Sequence, residues 1–548
     1  MAVNPVNGAF SLTVNPQIGA NTLEFEATDE LGTDELRVQA YHYSSAYTNP
    51  TPAGAGNVNP GLGIYLGQTS IDDKMAPPPT DLAAIFKGVL DGFDLGSFFD
   101  ANTVLASQAG FDIYLRSLGF AGSTVALDAI DGGLRVRASL NNISGTLRFD
   151  CTTFGCQLLG GDSNGGLTIS SIVITADLLL SVTPQNTLQV SVVNATTQIN
   201  NLDIFSNNGW TNFLLSIIEP IIRGGLVSDL ETELNNQLSN VLGPLLADGL
   251  GALAFNQVFS LPRLDGNPPP IDIALESDFS STDFQDATPG PQGGAFGLRA
   301  WATAASRGTP NANPFNANLG VPMRVGCGAA GQSMVIPKAA PLEIVFADDT
   351  INQILRAAWW GGLLQFPVDP SLLASVDLAQ YGVSDLVLDV SGYLPPVASD
   401  CVNGQLRLYV GDMRIDASLK LFGQPIDAIV YVAFDAPISL AANPTTGDIE
   451  IIIQAIENVK LEVNVTNEPA LGAEPALASL LESQLVPALG GLLGNGTPLA
   501  SFPLPEIDLS ASLGQPAGTS LIKIVPLTTP GLPSSRQSGN TVIFGRLQ

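Results

Sequence analysis

Apolar and polar residues alternate along much of this chain. Residues 134–140 read Leu-Arg-Val-Arg-Ala-Ser-Leu, residues 406–410 read Leu-Arg-Leu-Tyr-Val, and residues 167–174, 187–193 and 198–205 follow the same period. A period of two puts every second side chain on one face, so these runs predict antiparallel strands with one apolar face. Asp131-Gly132-Gly133 and Asn403-Gly404 supply turn residues for hairpins. Two stretches break the pattern. Residues 210–250 and 473–493 carry helical spacing, with Leu226, Leu230, Leu234, Leu238, Leu242 and Leu246 at every fourth position. Such a stripe spirals around a helix, as expected of a helix that follows a curved sheet. A third helical face joins Ile351, Ile354, Leu355, Ala358 and Trp359, with Asp349 as its expected N-cap.

The pattern also repeats. Residues 62–72 (LGIYLGQTSID) align with residues 342–352 (LEIVFADDTIN) at a constant offset of 280, each a short strand running into a helix. Near the other end of each unit, Phe259-Ser-Leu-Pro262 aligns with Phe502-Pro-Leu-Pro505 at an offset of 243. The second unit is therefore shorter by 37 residues, which matches extra segments at 75–80 and 150–166 of the first. The chain divides accordingly into 1–46, a linker at 47–60, a first unit at 61–264, a central connecting sheet at 265–340, a second unit at 341–510 and return strands at 511–548. Residues 7–41 (NGAFSLTVNPQIGANTLEFEATDELGTDELRVQAY) resemble the last strands of a bacterial immunoglobulin-like surface domain, so the first segment is expected to be a partial all-β immunoglobulin-like piece. Met1 leads directly into Ala-Val-Asn-Pro without a signal-peptide pattern, and the N-terminus reads as a fragment boundary.

Composition narrows the function. Charged residues make up 13% and apolar residues 45%, with a mean hydropathy of +0.26. The chain is greasy, yet its most apolar stretches are interrupted by Glu219, Pro220, Glu482 and Pro487, too closely for a membrane span. The net charge of −30 disfavours nucleic acid and anionic lipid surfaces as partners. There is a single histidine, His42, which argues against most hydrolytic and metal chemistry. Cys151 and Cys156 flank a short segment that a hairpin would close, leaving Cys327 to pair with Cys401. Two disulfides would place the chain in an oxidising compartment, and four buried thiols are the alternative.

Two tandem helix-and-sheet units resemble the tubular lipid-binding superfamily, and most of all its bactericidal/permeability-increasing and lipid-transfer group. The residues that carry the likeness are 348–362 (DDTINQILRAAWWGG), 502–509 (FPLPEIDL) and 539–547 (GNTVIFGRL). The resemblance implies an α+β fold: two tandem units of a long amphipathic helix wrapped by a curved antiparallel sheet, in a boomerang arrangement. It also implies apolar tunnels for acyl chains, lined from the helix stripes by Ile85, Phe86, Val89, Phe213, Ile217, Ile221, Ile351, Leu355, Trp359, Leu477, Leu481 and Leu485. The alternative for these residues is a packed core without a cavity. The acidic balance departs from cationic family members that capture lipopolysaccharide, so a neutral or weakly polar lipid is expected.

The functional expectation is a monomeric, extracytoplasmic protein that binds, and transfers, lipid or another hydrophobic small molecule, with transient membrane contact and no nucleic acid. It needs no cofactor and no metal and is not an enzyme. A cell-surface adhesion or structural module without a ligand is the competing expectation. Residues 161–165 (GDSNG) match a Gly-x-Ser-x-Gly pattern, but they lie among further glycines and read as a hairpin loop without a histidine base. The acidic pairs Asp72-Asp73 and Asp348-Asp349 lack the spacing of a calcium loop and read as helix caps or solvated surface.

Overall fold

The computed structural model describes residues 10–548 apart from 29–33, 52–53, 55, 75–80, 93, 99–100, 103, 109, 155–156, 158–160, 208–226, 228–230, 233–242, 245, 265–268, 288–289, 306–319, 325–333, 369–377, 402–403, 444, 468–476, 482, 484–497, 505, 509–520, 528–533 and 538. Its frame is a central antiparallel sheet. One half holds Asn256–Leu261, Ile271–Gln285, Gly293–Ala304 and Val58–Gly67, in that order. The other half continues with Leu342–Ala347, Asn540–Leu547, Leu521–Pro526 and Glu506–Asp508.

The halves meet where the two repeated strands pair. Ile64 lies opposite Ile344, Leu62 opposite Phe346 and Leu66 opposite Leu342. These are the positions related by the 280-residue offset, so a local two-fold axis runs between Ile64 and Ile344. All six side chains are fully buried. Hydrogen bonds obey the same axis. The Ser70 hydroxyl donates to the Pro341 carbonyl at 2.7 Å, and the Thr350 hydroxyl to the Gly61 carbonyl at 2.8 Å. Asp72 accepts from the Leu127 N–H at 3.1 Å, and its counterpart Asn352 accepts from the Ala398 N–H at 2.6 Å. The second offset behaves alike: Phe259 and Phe502 touch, with ring centroids 5.5 Å apart.

Each repeated strand runs into a helix: α1 (Gln68–Ile71) in the first unit and, after the separate helix α2 (Leu82–Asp91), α3 (Asp348–Trp360) in the second. Beyond them lie two arm sheets. The first orders its strands Leu188–Ser206, Ser163–Val182, Gly133–Cys151, Phe111–Gly119 and Val104–Gln108, with Gly122–Ile130 also on Gly133–Cys151. The second runs Gln365–Pro367, Val383–Gly392, Arg407–Leu421, Gln424–Ala442, Ile449–Ile453 and Pro498–Phe502, with Val397–Ser399 and Glu457–Val465 attached to its long strands.

The fold corrects the expected class. Among the described residues strands dominate, the longest reach 20 residues, and the longest helix has 13. Among these residues the architecture is one of bent, half-barrel sheets and short helices, not of long helices wrapped by sheet. Most of the segments expected as long helices, 210–250 and 473–493, lie outside the described residues; the described parts include short helical pieces at 246–251 and 477–481. The physical reason lies in the bends. Left-handed Asn194, Asp385 and Asp412 (φ 53°, 53° and 47°) sit at register shifts in the arm strands. Such bulges add one residue and bend a strand, and Asn and Asp tolerate that conformation. One long strand then curls its own apolar face, while in sequence each bulge changes the phase of the alternation.

The N-terminal segment is a two-stranded hairpin, Gly19–Thr28 with Asp34–Tyr43, and no immunoglobulin-like sandwich surrounds it among the described residues. It is a brace on the second arm. The Ala40 N–H donates to Asp412 at 2.8 Å and the Val38 N–H to Glu462 at 2.6 Å, while Arg37 pairs with Glu462 at 2.6 Å. Asp349 is not the N-cap of α3, a place taken by Ala347 without a side-chain bond. No described helix is long and apolar enough to cross a membrane.

The two-fold hydrogen bonds give a direct test. Thr350→Val removes a buried bond to the Gly61 carbonyl and is expected to cost ~1–2 kcal/mol, whereas Ser70→Ala is expected to cost less, because the Pro341 carbonyl it frees is exposed and keeps the Gly67 N–H as a donor. Urea unfolding of both variants checks this, and an equal or larger loss in Ser70→Ala would overturn it.

Candidate functional site

A cleft of about 660 Å³ opens where α3, the central sheet and the segment after the N-terminal hairpin converge. Its base is the last turn of α3, with Arg356, Ala357 and Trp360. Ala302, Thr303, Ala304 and Ala305 form one wall, and Val258, Asp272 and Ala274 another. Asn49, Pro50, Thr51 and Gly320 close the rim. Small residues make the space: five alanines occupy positions where larger side chains would fill it.

Gln353, one turn before Arg356, fixes the walls relative to each other. Strand Gly293–Ala304 loses its neighbour beyond the Ala300–Val58 pair. There the fully buried Gln353 replaces a strand, accepting from the Ala302 N–H at 3.1 Å and donating to the Gly56 carbonyl at 2.9 Å and to Thr48 at 3.2 Å. One amide thus ties sheet, rim and helix together.

Arg356 lies over the Trp360 ring, 5.6 Å from its centroid, and donates to Asn49 Oδ1 at 2.7 Å. Burial lowers its pKa from the ordinary guanidinium value. Trp359 points the other way, into the core, and donates its indole N–H to the Gly392 carbonyl at 2.7 Å.

At the opposite end of α3 is a buried ion cluster. Arg536 binds Asp348 through both terminal nitrogens at 2.6 and 2.9 Å, and also Asp400 at 2.8 Å. Arg324 pairs with Asp400 at 2.7 Å, and its backbone N–H donates to Asp349 at 2.9 Å. Gly539 fits this crowding because its φ is +81° and a Cβ there would meet the Arg324 guanidinium at 2.5 Å. The paired arginines hold Asp400 below the ordinary aspartate range, whereas burial pushes Asp349 up to about 7. Asp348 and Asp349, expected as cap or solvated surface, are in fact part of a structural cluster, and no metal-holding group occurs among the described residues.

The residues expected to line tunnels fall into three groups. Phe86, Ile351, Leu355, Trp359, Leu477 and Leu481 are buried in one continuous apolar core, and Ile85 packs against it half-buried. Phe213, Ile217, Ile221 and Leu485 lie outside the described residues, as does the side chain of Val89. None of the described ones lines the cleft, although Leu355 and Trp359 neighbour Arg356 and Trp360 on α3. Cys151 and Cys401 are not free, while Cys156 and Cys327 lie outside the described residues. Ser163 opens a strand rather than a loop, with the Ser206 hydroxyl at 3.2 Å, so no strand–turn–helix elbow exists there. His42 is a buried strand residue whose pKa burial lowers to about 4. The cleft escaped the sequence because its residues are far apart; the Ala-rich 298–305 and the adjacent Trp359-Trp360 were its only visible traces.

No family model matches the chain, and no curated protein matches it. Among solved structures, it is similar to a lipopolysaccharide binding protein (TM-score 0.42, 13% identity, 90% of this chain and 99% of that one). It is also similar to P47 of Clostridium botulinum E1 (0.33, 9%, 89% and 99%) and to P47 from Clostridium botulinum A2 (0.27, 10%, 90% and 100%). Likeness at these scores carries no functional argument.

Asp349 supplies a pH test. Its folded-state pKa rises from 3.8 to about 7, so between these values the folded chain keeps a proton that the unfolded chain has lost. Stability therefore declines as pH rises through that window and levels off above it. Asp349→Asn keeps the acceptor for Arg324 and removes the titration. The variant is expected to melt above the parent at about pH 8 and to converge with it near pH 4 in thermal scans.

Proposed function

We propose that this chain binds a hydrophobic or amphiphilic small molecule outside the cytoplasm, without chemistry. The observation that carries the reading is the cleft beside α3. Its volume falls within the ~300–1,000 Å³ of small-molecule sites, and its lining combines alanines, Val258 and Trp360 with the polar Asn49, Thr51, Asp272, Thr303 and Arg356. An acyl chain of a dozen methylenes buried there would contribute about 10 kcal/mol before ordering costs, at about 0.8 kcal/mol each. The sole histidine is buried and held neutral, which supports binding rather than catalysis. Four cysteines, with neither described one free, support an oxidising, extracytoplasmic setting.

A ligand-free structural module is the second reading. Its specific support is the packing of Phe86, Ile351, Leu355, Trp359, Leu477 and Leu481 into one core.

Organic extraction of purified protein, followed by mass spectrometry, is expected to release a lipid. Ala304→Trp places an indole in the cleft and is expected to cut uptake of a fluorescent fatty acyl probe at least ~tenfold while the melting temperature holds. Absence of both co-purified lipid and probe uptake in the parent would favour the structural module.

A further inference from the structure

We infer that the cleft selects amphiphiles with an anionic head, held by Arg356 and Trp360; this rests on the cleft being a ligand site. The chain has 51 acidic and 21 basic residues, so carboxylates are abundant. Arg135, Arg299, Arg324, Arg407, Arg414 and Arg536 each have a carboxylate partner. Arg356, like Arg116 and the exposed Arg137 and Arg546, has none among the described residues; it is half-buried, and its side chain donates to the neutral Asn49. A guanidinium carries five N–H donors, so most remain for a ligand.

The surroundings fit the same ligand. Trp360 lies under Arg356 and keeps the guanidinium plane beside the cleft. Its indole N–H has no acceptor among the described residues, in contrast to Trp359 and Trp301, which donate to Gly392 and Glu276. The carboxylate in the lining, Asp272, lies beyond ion-pair distance of Arg356 and accepts from the Ser260 hydroxyl at 2.6 Å. Val258, 67% exposed, offers apolar surface on the facing wall. A cation at the helix and apolar surface at the strands match a molecule with an anionic head and a hydrocarbon tail. A carboxylate and a phosphate both present the paired oxygens that a guanidinium binds. The net charge of −30 would repel an anionic vesicle, so the ligand enters as a monomer.

The test titrates the full chain with three monomeric probes, oleate, an oleoyl lysophosphatidate and neutral monoolein, below their aggregation thresholds, following tryptophan fluorescence. At least one anionic probe is expected to bind about tenfold or more tighter than monoolein, and the two anionic arms separate fatty acid from phospholipid. Arg356→Gln is expected to lose about tenfold more for that probe than for monoolein, while Arg356→Lys retains part of the preference. Equal binding of all three probes, unchanged in Arg356→Gln, would overturn the head-group assignment and leave the proposed ligand site standing. Binding of none would overturn both.

Discussion

The structure depends on one constraint: two copies of the same strand lie side by side, antiparallel, across a local two-fold axis. Val58–Gly67 and Leu342–Ala347 form the middle of the central sheet with Ile64 facing Ile344. Because each strand runs directly into its own helix, this pairing fixes where α1 and α3 start. Ser70 and Thr350 then reach across the axis to carbonyls of the opposite copy, and Asp72 and Asn352 each hold a short strand of their own arm. Packing repeats the logic at Phe259 and Phe502. Few independent contacts are needed to place two large sheets when each is used twice.

Function grows from where the symmetry fails. The second copy has Asp348 and Asp349 where the first has Gln68 and Thr69. The acidic pair brings in Arg536 and Arg324 and ties α3 to the strand Ser534–Gln537, which pairs with Asn540–Leu547. α1 ends at Ile71, after four residues, while α3 runs for 13 and carries Arg356 and Trp360 beyond the point its counterpart reaches. Among the described residues, the cleft is built on the extra turns of α3. Gln353 and the rim at Asn49 convert that extra length into a walled space.

The frame was legible in the sequence because the duplication keeps a constant offset through strand and helix start, where insertion would break the pairing. The α3 face was legible because Ile351, Ile354, Leu355, Ala358 and Trp359 all reach the core. The arms were legible only in pieces. Asn194 interrupts the alternation between Leu188 and Ser206, and one curved strand reads as two short ones. The leucine ladder at 226–246, which reads as a long helix, lies mostly outside the described residues. The cleft was not legible at all: Val258, Ala304 and Arg356 meet only after the central sheet forms, and no spacing rule joins them. The buried role of Asp348 was hidden for the same reason, since Arg536 lies 188 residues away.

The central pairing also has a consequence for synthesis. Val58–Gly67 is made early, yet its two neighbours, Gly293–Ala304 and Leu342–Ala347, are made more than 200 residues later. At about 5–20 residues per second, a ribosome leaves that strand without neighbours for at least ten seconds or so. Both of its edges are open throughout, and its alternate residues Leu62, Ile64 and Leu66 are among the most apolar of the chain. An unpaired apolar strand of this kind recruits other chains. The arrangement that gives the finished molecule its axis thus makes the nascent chain depend on something else, a chaperone or a slow, dilute supply of ribosomes, until its second half arrives.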